Sequence, residues 1–217
     1  MNRIAFFGGT FDPVHNGHLH IARSIVDIFR LDRFYFLPAF HAPHKPDRVP
    51  TSAYHRFAML SIATQQEPKV VVSTHELDRM EPRYTVDTVP ELTKEFANSK
   101  LFFVMGADSW MDIRTWRQWE DLLLMTNHIV IARPGFEISQ SHVSDVVRER
   151  IKDVRSLDKG QIADLERDSD AIYLTDAVIF DTSSTILRED LSDGELERDD
   201  DVPVEVANYI EKYELYR

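Results

Sequence analysis

Residues 7–19 read Phe-Gly-Gly-Thr-Phe-Asp-Pro-Val-His-Asn-Gly-His-Leu, and no other stretch constrains the chain as tightly. The apolar run Ile4, Ala5, Phe6, Phe7 precedes it and a helical pattern follows. A strand ending in two glycines before a helix start lets the backbone come close to a polyphosphate. Glycine carries no Cβ, and the first helical turn offers N–H groups and a partial positive charge. The expectation is a tight turn at Gly8 and Gly9, with Thr10 adding a hydroxyl and His15 and His18 near the first turn of the helix. Three residues apart on a helix, the two imidazoles can face one way, and imidazole donates to phosphate oxygens. His18 with His20, and His41 with His44, lack a carboxylate or thiol at metal-ligand spacing and read as structural or solvent-facing. The stretch reads as a nucleotide-handling site.

Strand and helix signals alternate over the rest of the first half. Apolar runs at 3–7, 34–37, 70–73, 101–105 and 128–132 read as strands. Between them the spacing of Leu19, Ala22, Ile25, Ile28 and Phe29 predicts a helix, as do residues from Thr51 or Ser52 to about 64, and residues 84–97. In the last of these a start near Asp87 would put Pro90 in the first turn, where proline is tolerated. Shorter helical pieces flank Trp116. Residues 39–49 form a long proline-bearing loop containing Lys45, and such loops often carry function. Residues 136–167 hold only a weak polar helical pattern and a charged connector. Short strands at 172–174 and 178–180 follow, then a helix opened by Ser183, Ser184 and Thr185. A last helix after Pro203 carries Val204, Ala207, Ile210 and Tyr213. Strands separated by helices imply parallel pairing by right-handed crossovers, with ligands beyond the carboxyl ends of the strands. Gly8, Pro38 and Gly106 all fall at such ends.

Composition narrows the classes. The chain has 217 residues, 43% of them hydrophobic, which suits one large domain with a real core. We divide it into a core over 1–180 and a C-terminal part over 181–217. No run approaches the ~20 apolar residues of a membrane span. The start, Met1-Asn2-Arg3, lacks the pattern of a signal peptide, so a cytoplasmic protein without a membrane partner is expected. The absence of cysteine excludes a disulfide framework, a thiolate metal site and a cysteine nucleophile. A formal net charge of −12 argues against nucleic acid as a partner. It leaves room for a nucleotide, which a few cations and backbone dipoles can hold. A homo-oligomer is compatible with everything in the sequence.

At residues 8–18 the chain resembles the GGTFDPxHxGH signature of the nucleotidyltransferase superfamily, and within it most resembles the bacterial nicotinate-mononucleotide adenylyltransferases. Pro43-His44-Lys45 is similar to that family's PHK loop. Tyr84-Thr85-Val86-Asp87-Thr88 resembles its YTxDT element, and Gly106-Ala107-Asp108-Ser109 with Trp116 resembles its GxDS…W segment. Ser183-Ser184-Thr185-Ile186-Leu187-Arg188 resembles its SSTxxR signature. The five motifs occur in order and span essentially the whole chain.

The resemblance implies a doubly wound, Rossmann-like parallel α/β sheet with a small C-terminal helical part. It implies that ATP and nicotinate mononucleotide give nicotinate adenine dinucleotide and pyrophosphate, with Mg²⁺ arriving on ATP. His15 and His18 are then the catalytic pair, without a covalent enzyme intermediate. ATP would be bound by Gly8, Gly9, Thr10, His15, His18, Gly106, Asp108, Ser183, Ser184, Thr185 and Arg188. Lys45, Thr85, Trp116 and Arg133 would bind the mononucleotide, Trp116 by stacking on the pyridinium. On their residues alone, Lys45 is equally an exposed lysine, Trp116 also fits a core tryptophan, and Ser183 to Thr185 with Arg188 read sooner as an ordinary helix cap and a surface arginine. A small adenylyl- or cytidylyltransferase acting on phosphopantetheine or an alcohol phosphate would share the first and last motifs but lack Tyr84–Thr88 and Trp116. A non-catalytic nucleotide sensor would not need His15, His18 and Arg188 intact.

Overall fold

A computed structural model describes residues 1–41, 49–132, 138–165, 170–176, 184–193 and 201–216. Strand β1 (Asn2–Gly9) leads into α1 (Asn16–Ile28), followed by β2 (Arg33–Pro38), α2 (Ala53–Ala63) and β3 (Val70–Val72). Helix α3 (Thr85–Glu95) crosses to β4 (Ser99–Gly106), and α4 (Ala107–Met111), a 3₁₀ turn (Ile113–Thr115) and α5 (Trp119–Met125) lead to β5 (Asn127–Ile131). Then come α6 (Asp145–Arg148), β6 (Ile151–Asp153), α7 (Lys159–Leu165), β7 (Ile172–Thr175), α8 (Ser184–Asp193) and α9 (Val204–Lys212).

Among the described residues the sheet has seven strands, all parallel, in the order β3-β2-β1-β4-β5-β7-β6. The chain winds outward from β1 in one direction, then restarts at β4 on the other side. The crevice between the carboxyl ends of β1 and β4 is therefore the topological switch point, where such sheets bind ligands. Both faces of the sheet are covered, and the side-chain alternation of strands decides which residue goes where. Ala5, Phe7, Phe34, Phe36, Phe102 and Val104 pack under α1, α2 and α9, against Ile25, Phe29, Met59, Leu60 and Val206. Ile4, Phe6, Leu101, Phe103 and Met105 face the opposite way, under α3 to α5, against Val89, Leu92, Trp110 and Leu122. The doubly wound fold expected from the pattern is the one found.

Some local expectations are corrected. Helix α3 begins at Thr85, so Pro90 lies inside the helix rather than in its first turn. It removes one backbone donor there, and its exposed side keeps the ring clear of the core. Strand β6 was not legible: three residues, Ile151-Lys152-Asp153, at a sheet edge carry too little pattern. In α9 the buried face is Val206, Ala207 and Ile210, while Val204 and Tyr213 are about half exposed. The strand expected at 178–180 lies outside the described residues, as does most of the loop expected at 39–49. Among the described residues no helix is long and apolar enough to cross a membrane.

Candidate active site

The glycines do not make the turn after β1. Gly8 and Gly9 continue the strand and pair with Leu37 and Pro38 of β2. They are glycines because of their neighbours: a Cβ on Gly8 would lie 2.9 Å from the Phe103 ring, and one on Gly9 would lie 2.7 Å from the Phe11 ring. The turn falls at Phe11, which adopts a left-handed φ of 51°. That conformation costs a non-glycine residue about 1–2 kcal/mol. Burial of the Phe11 ring offsets it, with ring centroids 5.5 Å from Phe7, 5.1 Å from Phe36 and 5.0 Å from His18. The Asp12–Pro13 peptide that follows is cis.

His15 is the N-cap of α1, extended at φ −140° and ψ 169°. Its N–H donates to Nδ1 of His18 at 3.3 Å, and the two rings lie against each other with centroids 3.7 Å apart and planes tilted by 32°. Because Nδ1 accepts, a neutral His18 carries its proton on Nε2 and presents it as a donor. The two histidines are not equivalent: His15 is 2% exposed, whereas His18 is only half-buried. The helix start is also less open than expected, since the Asn16 N–H donates to the Asp201 carbonyl at 2.8 Å. The end of the acidic stretch thus helps to cap the helix.

Distant segments converge on the turn. The buried Asp12 carboxylate accepts from the Thr51 N–H at 3.2 Å and from the Tyr216 hydroxyl at 2.7 Å. Burial and that carboxylate push the Tyr216 phenol well above its usual range, so it stays a donor. Ser184 Oγ donates to the Pro13 carbonyl at 3.0 Å. Arg188 donates to the Asp12 carbonyl at 2.5 Å through Nη1 and to Thr185 Oγ1 at 3.0 Å through Nη2. The structure thus brings Ser184, Thr185 and Arg188 to the turn at Asp12 and Pro13, just beyond Gly8, Gly9 and Thr10.

Arg56 escaped the sequence reading. It is fully buried and donates to three carbonyls: Thr51 at 2.8 Å, Thr10 at 2.7 Å and Phe40 at 2.9 Å. Burial lowers its pKa while the Asp12 charge opposes the shift. It pins the first turn to the chain entering the long loop. One signal was available: Arg56 lies three and four residues before Met59 and Leu60, on the buried face of α2.

A cleft of about 130 Å³ runs from Gly8, Gly9 and Thr10 to Thr85 and Trp116. Trp116 lines it, whereas Trp110 is the core tryptophan, fully buried with its indole N–H donating to the Ser139 carbonyl at 2.8 Å. Gly106 closes β4, and a Cβ there would sit 2.6 Å from Oδ1 of Asp108. Asp108 itself is exposed at the start of α4, and its neighbour Ser109 lines the cleft. Three further lining residues, Glu76, Arg83 and Arg117, carry ionisable groups that the sequence did not point out. Glu76 accepts from Thr88 Oγ1 at 2.8 Å, and burial pushes its carboxyl pKa up to about 7. Lys45, Arg133 and Ser183 lie outside the described residues.

A parallel sheet with a glycine-ended first strand, a closely packed histidine pair and a cleft at the switch point define a nucleotidyltransferase-type α/β protein. The family described as cytidylyltransferase-like matches residues 6–190. The chain is 36% identical to a probable nicotinate-nucleotide adenylyltransferase of Clostridium tetani, with all of both chains covered. It is 34% identical to a protein of the same description from Neisseria gonorrhoeae, covering 100% of this chain and 99% of that one. It belongs to the nicotinate-nucleotide adenylyltransferase family. Among solved structures, Plasmodium falciparum nicotinic acid mononucleotide adenylyltransferase complexed with NaAD is similar in fold. Its TM-score is 0.74 at 21% identity, covering 100% of this chain and 98% of that one.

Proposed function

We propose that this chain transfers the adenylyl group of ATP to nicotinate mononucleotide, producing nicotinate adenine dinucleotide and pyrophosphate for NAD biosynthesis. The observation that carries this is one cleft lined by Gly8, Gly9 and Thr10 at one end and by Thr85 and Trp116 at the other. A phosphate-handling end and a flat-ring end share one space, as a reaction between two nucleotides requires.

A 5′-phosphate oxygen of the mononucleotide attacks the α-phosphorus of ATP. As the new P–O bond forms, the bond to pyrophosphate breaks, and charge builds on the departing oxygens. The chain's part is alignment and charge stabilisation. His18 donates from Nε2 to phosphate oxygens, with its ring oriented by the His15 N–H and packed on Phe11. His15 packs against that ring from the N-cap of α1. Arg188, Ser184 and Thr185 hold the pyrophosphate side, and Ser183 belongs to the same element by its motif. Gly106 and Asp108 take the ribose side of ATP. Lys45 and Arg133 act on the mononucleotide phosphate, while Trp116 stacks on the pyridinium, to which its π face is attractive. Mg²⁺ enters with ATP as part of the substrate. Its ligands in this proposal are mainly the phosphates of ATP and water, as magnesium often keeps waters and takes few protein ligands.

The test is pyrophosphate release by the purified protein with ATP and Mg²⁺, comparing nicotinate and nicotinamide mononucleotides. Much faster release with the acid supports the assignment, and equal rates overturn its acid preference. Phosphopantetheine serves as the control for the related transferases.

A further inference from the structure

Chain ends commonly fray, yet the last described residues of this chain fold inward. Helix α9 stops at Lys212, and Glu214 and Tyr216 then both adopt left-handed backbone, at φ 52° and 67°. Two main-chain bonds close the turn. The Glu214 N–H donates to the Glu211 carbonyl at 3.2 Å, and the Leu215 N–H to the Ile210 carbonyl at 3.1 Å. Left-handed backbone is costly for residues with a Cβ, and two instances so close together need compensation. Packing of Leu215 and Tyr216 against the core beneath α1 and α2 supplies part of it. The Tyr216 hydroxyl adds a short hydrogen bond to Oδ1 of Asp12 at 2.7 Å, 204 residues away in sequence.

Asp12 is where the phosphate end of the site is fixed. It is 4% exposed, and both its carboxylate oxygens are used, Oδ1 by Tyr216 and Oδ2 by the Thr51 N–H at 3.2 Å. Its main-chain oxygen accepts from Arg188 Nη1 at 2.5 Å. Just before it, the Thr10 carbonyl accepts from Arg56 at 2.7 Å; just after it, His15 caps α1 and orients His18. Phe11, between Thr10 and Asp12, is itself left-handed. A segment in that conformation keeps its course only where its surroundings hold it. Helix α9 is already seated in the core by Val206, Ala207 and Ile210, so the Tyr216 hydroxyl is not needed to dock it. What the hydroxyl fixes is the place of Asp12. Burial, and then the Asp12 charge, keep the phenol protonated and therefore a donor.

We propose that Tyr216 is a positioning residue for adenylyl transfer: by holding the Asp12 carboxylate it sets the main chain of the turn, and with it the placement of Arg188 and His18 at the phosphates. This rests on the reaction proposed above. Tyr216 touches no reacting atom in this scheme and acts through Asp12. Transfer between two bound nucleotides depends on alignment, so a turn displaced by about 1 Å lowers turnover while the cleft still takes up the mononucleotide.

The experiment uses the full chain, its Tyr216→Phe and Asp12→Asn variants, and the double variant. kcat and KM are measured for ATP and nicotinate mononucleotide well below Tm, with Tm read in parallel. Tyr216→Phe keeps the ring and loses only the hydroxyl. Its kcat should fall by about 10- to 100-fold, with KM for the mononucleotide within about twofold of wild type. Asp12→Asn removes the charge that Tyr216 binds. The double variant should turn over no more slowly than the slower single, because both changes break one link. A wild-type kcat in Tyr216→Phe, whatever its Tm, makes the contact purely structural and overturns the proposal. Failure of Tyr216→Phe to fold overturns it too, since the hydroxyl would then be needed for the fold itself. So does an effect confined to KM for the mononucleotide. Losses that multiply in the double variant also overturn it, because Tyr216 would then act elsewhere than through Asp12. Each of these leaves the reaction standing, whereas a wild-type chain that releases no pyrophosphate with nicotinate mononucleotide overturns the reaction and the role of Tyr216 together.

Discussion

Arg188 donates through Nη1 to the main-chain oxygen of Asp12 at 2.5 Å, tying α8 to the turn that follows β1. The contact spans most of the chain, and it explains why a C-terminal arginine can serve a site built on the first strand. Its second nitrogen holds Thr185, so the guanidinium plane is set before any ligand arrives. Arg188→Ala should lower kcat/KM for ATP by about 100-fold, the usual loss for one preorganised donor to a developing anion. Arg188→Lys should recover only part of this, because an ammonium cannot bridge Asp12 and Thr185 as a planar fork does. Steady-state kinetics with ATP varied checks it, and equal activity of the lysine variant would contradict it.

His18 has a structural task and, in the proposed reaction, a catalytic one, and two substitutions separate them. His18→Asn offers its side-chain oxygen to the His15 N–H, whereas His18→Ala leaves that N–H without its acceptor. The asparagine variant should therefore keep a Tm closer to wild type. Both should lose about 100-fold in turnover, since neither presents the Nε2 donor. Calorimetry beside single-turnover rates reads the two effects, and normal turnover in either variant removes the catalytic assignment.

The tryptophans should respond in opposite ways. Trp110→Ala empties a fully buried site and orphans the Ser139 carbonyl, which should destabilise the fold by about 3–5 kcal/mol. Trp116→Ala, on the cleft wall, should leave Tm nearly in place and raise KM for the mononucleotide by about 10-fold, as loss of a cation–π contact would. Denaturant unfolding and mononucleotide titration check the pair.

Glu76 should leave a mark on stability against pH. Its folded-state pKa of about 7 lies above the ordinary 4.5. Below 4.5 both folded and unfolded chains hold the proton, and no penalty arises. As pH rises from 4.5 to 7 the unfolded chain ionises while the fold keeps its proton, so stability falls through that window and levels off above it. The full effect is about 3 kcal/mol. Glu76→Gln keeps an acceptor for Thr88 and should remove this slope, becoming more stable than wild type at pH 8 but not at pH 4. Chemical denaturation across that range reads it directly.

Arg56 should prove costly to remove. Arg56→Met fills much of the same space but leaves the carbonyls of Thr10, Phe40 and Thr51 without their shared donor. A buried acceptor left this way costs about 1–3 kcal/mol. Tm should fall markedly, and KM for ATP should rise because Thr10 loses its anchor. A variant with wild-type Tm would show that water replaces the guanidinium.

Much of the fold was readable because its signals are local and repeated. The apolar runs of β1, β2, β4 and β5 are continuous, as strands buried on both faces must be. Helix α1 announced itself by the spacing of Leu19, Ala22 and Ile25, all buried as expected. Strand β6 failed that test because three edge residues hold no period. The helix expected over 84–97 is found as α3, and only the thought of a start near Asp87 fails, because the exposed position of Pro90 lets the helix carry it inside.

The site divides along the same line. Residues 8–18, the Tyr84–Thr88 element and the Ser184–Arg188 element were visible in the sequence, since each is a short run whose residue types must sit together to do their chemistry. Their order along the chain, with the alternation of strands and helices, was enough for the family and the doubly wound sheet. What only the tertiary structure decided is which of them touch and which other side chains join them. Arg56 looks like any helix arginine until Thr10, Phe40 and Thr51 are folded around it. Gly9 looks like a turn glycine until the Phe11 ring packs over it, and Arg83 looks like a surface charge until Glu91 holds it against the cleft. Local pattern reflects contacts between residues near in sequence. Burial, and with it the cost of an unpaired charge or the need for a missing Cβ, arises only when distant segments exclude water from the same place.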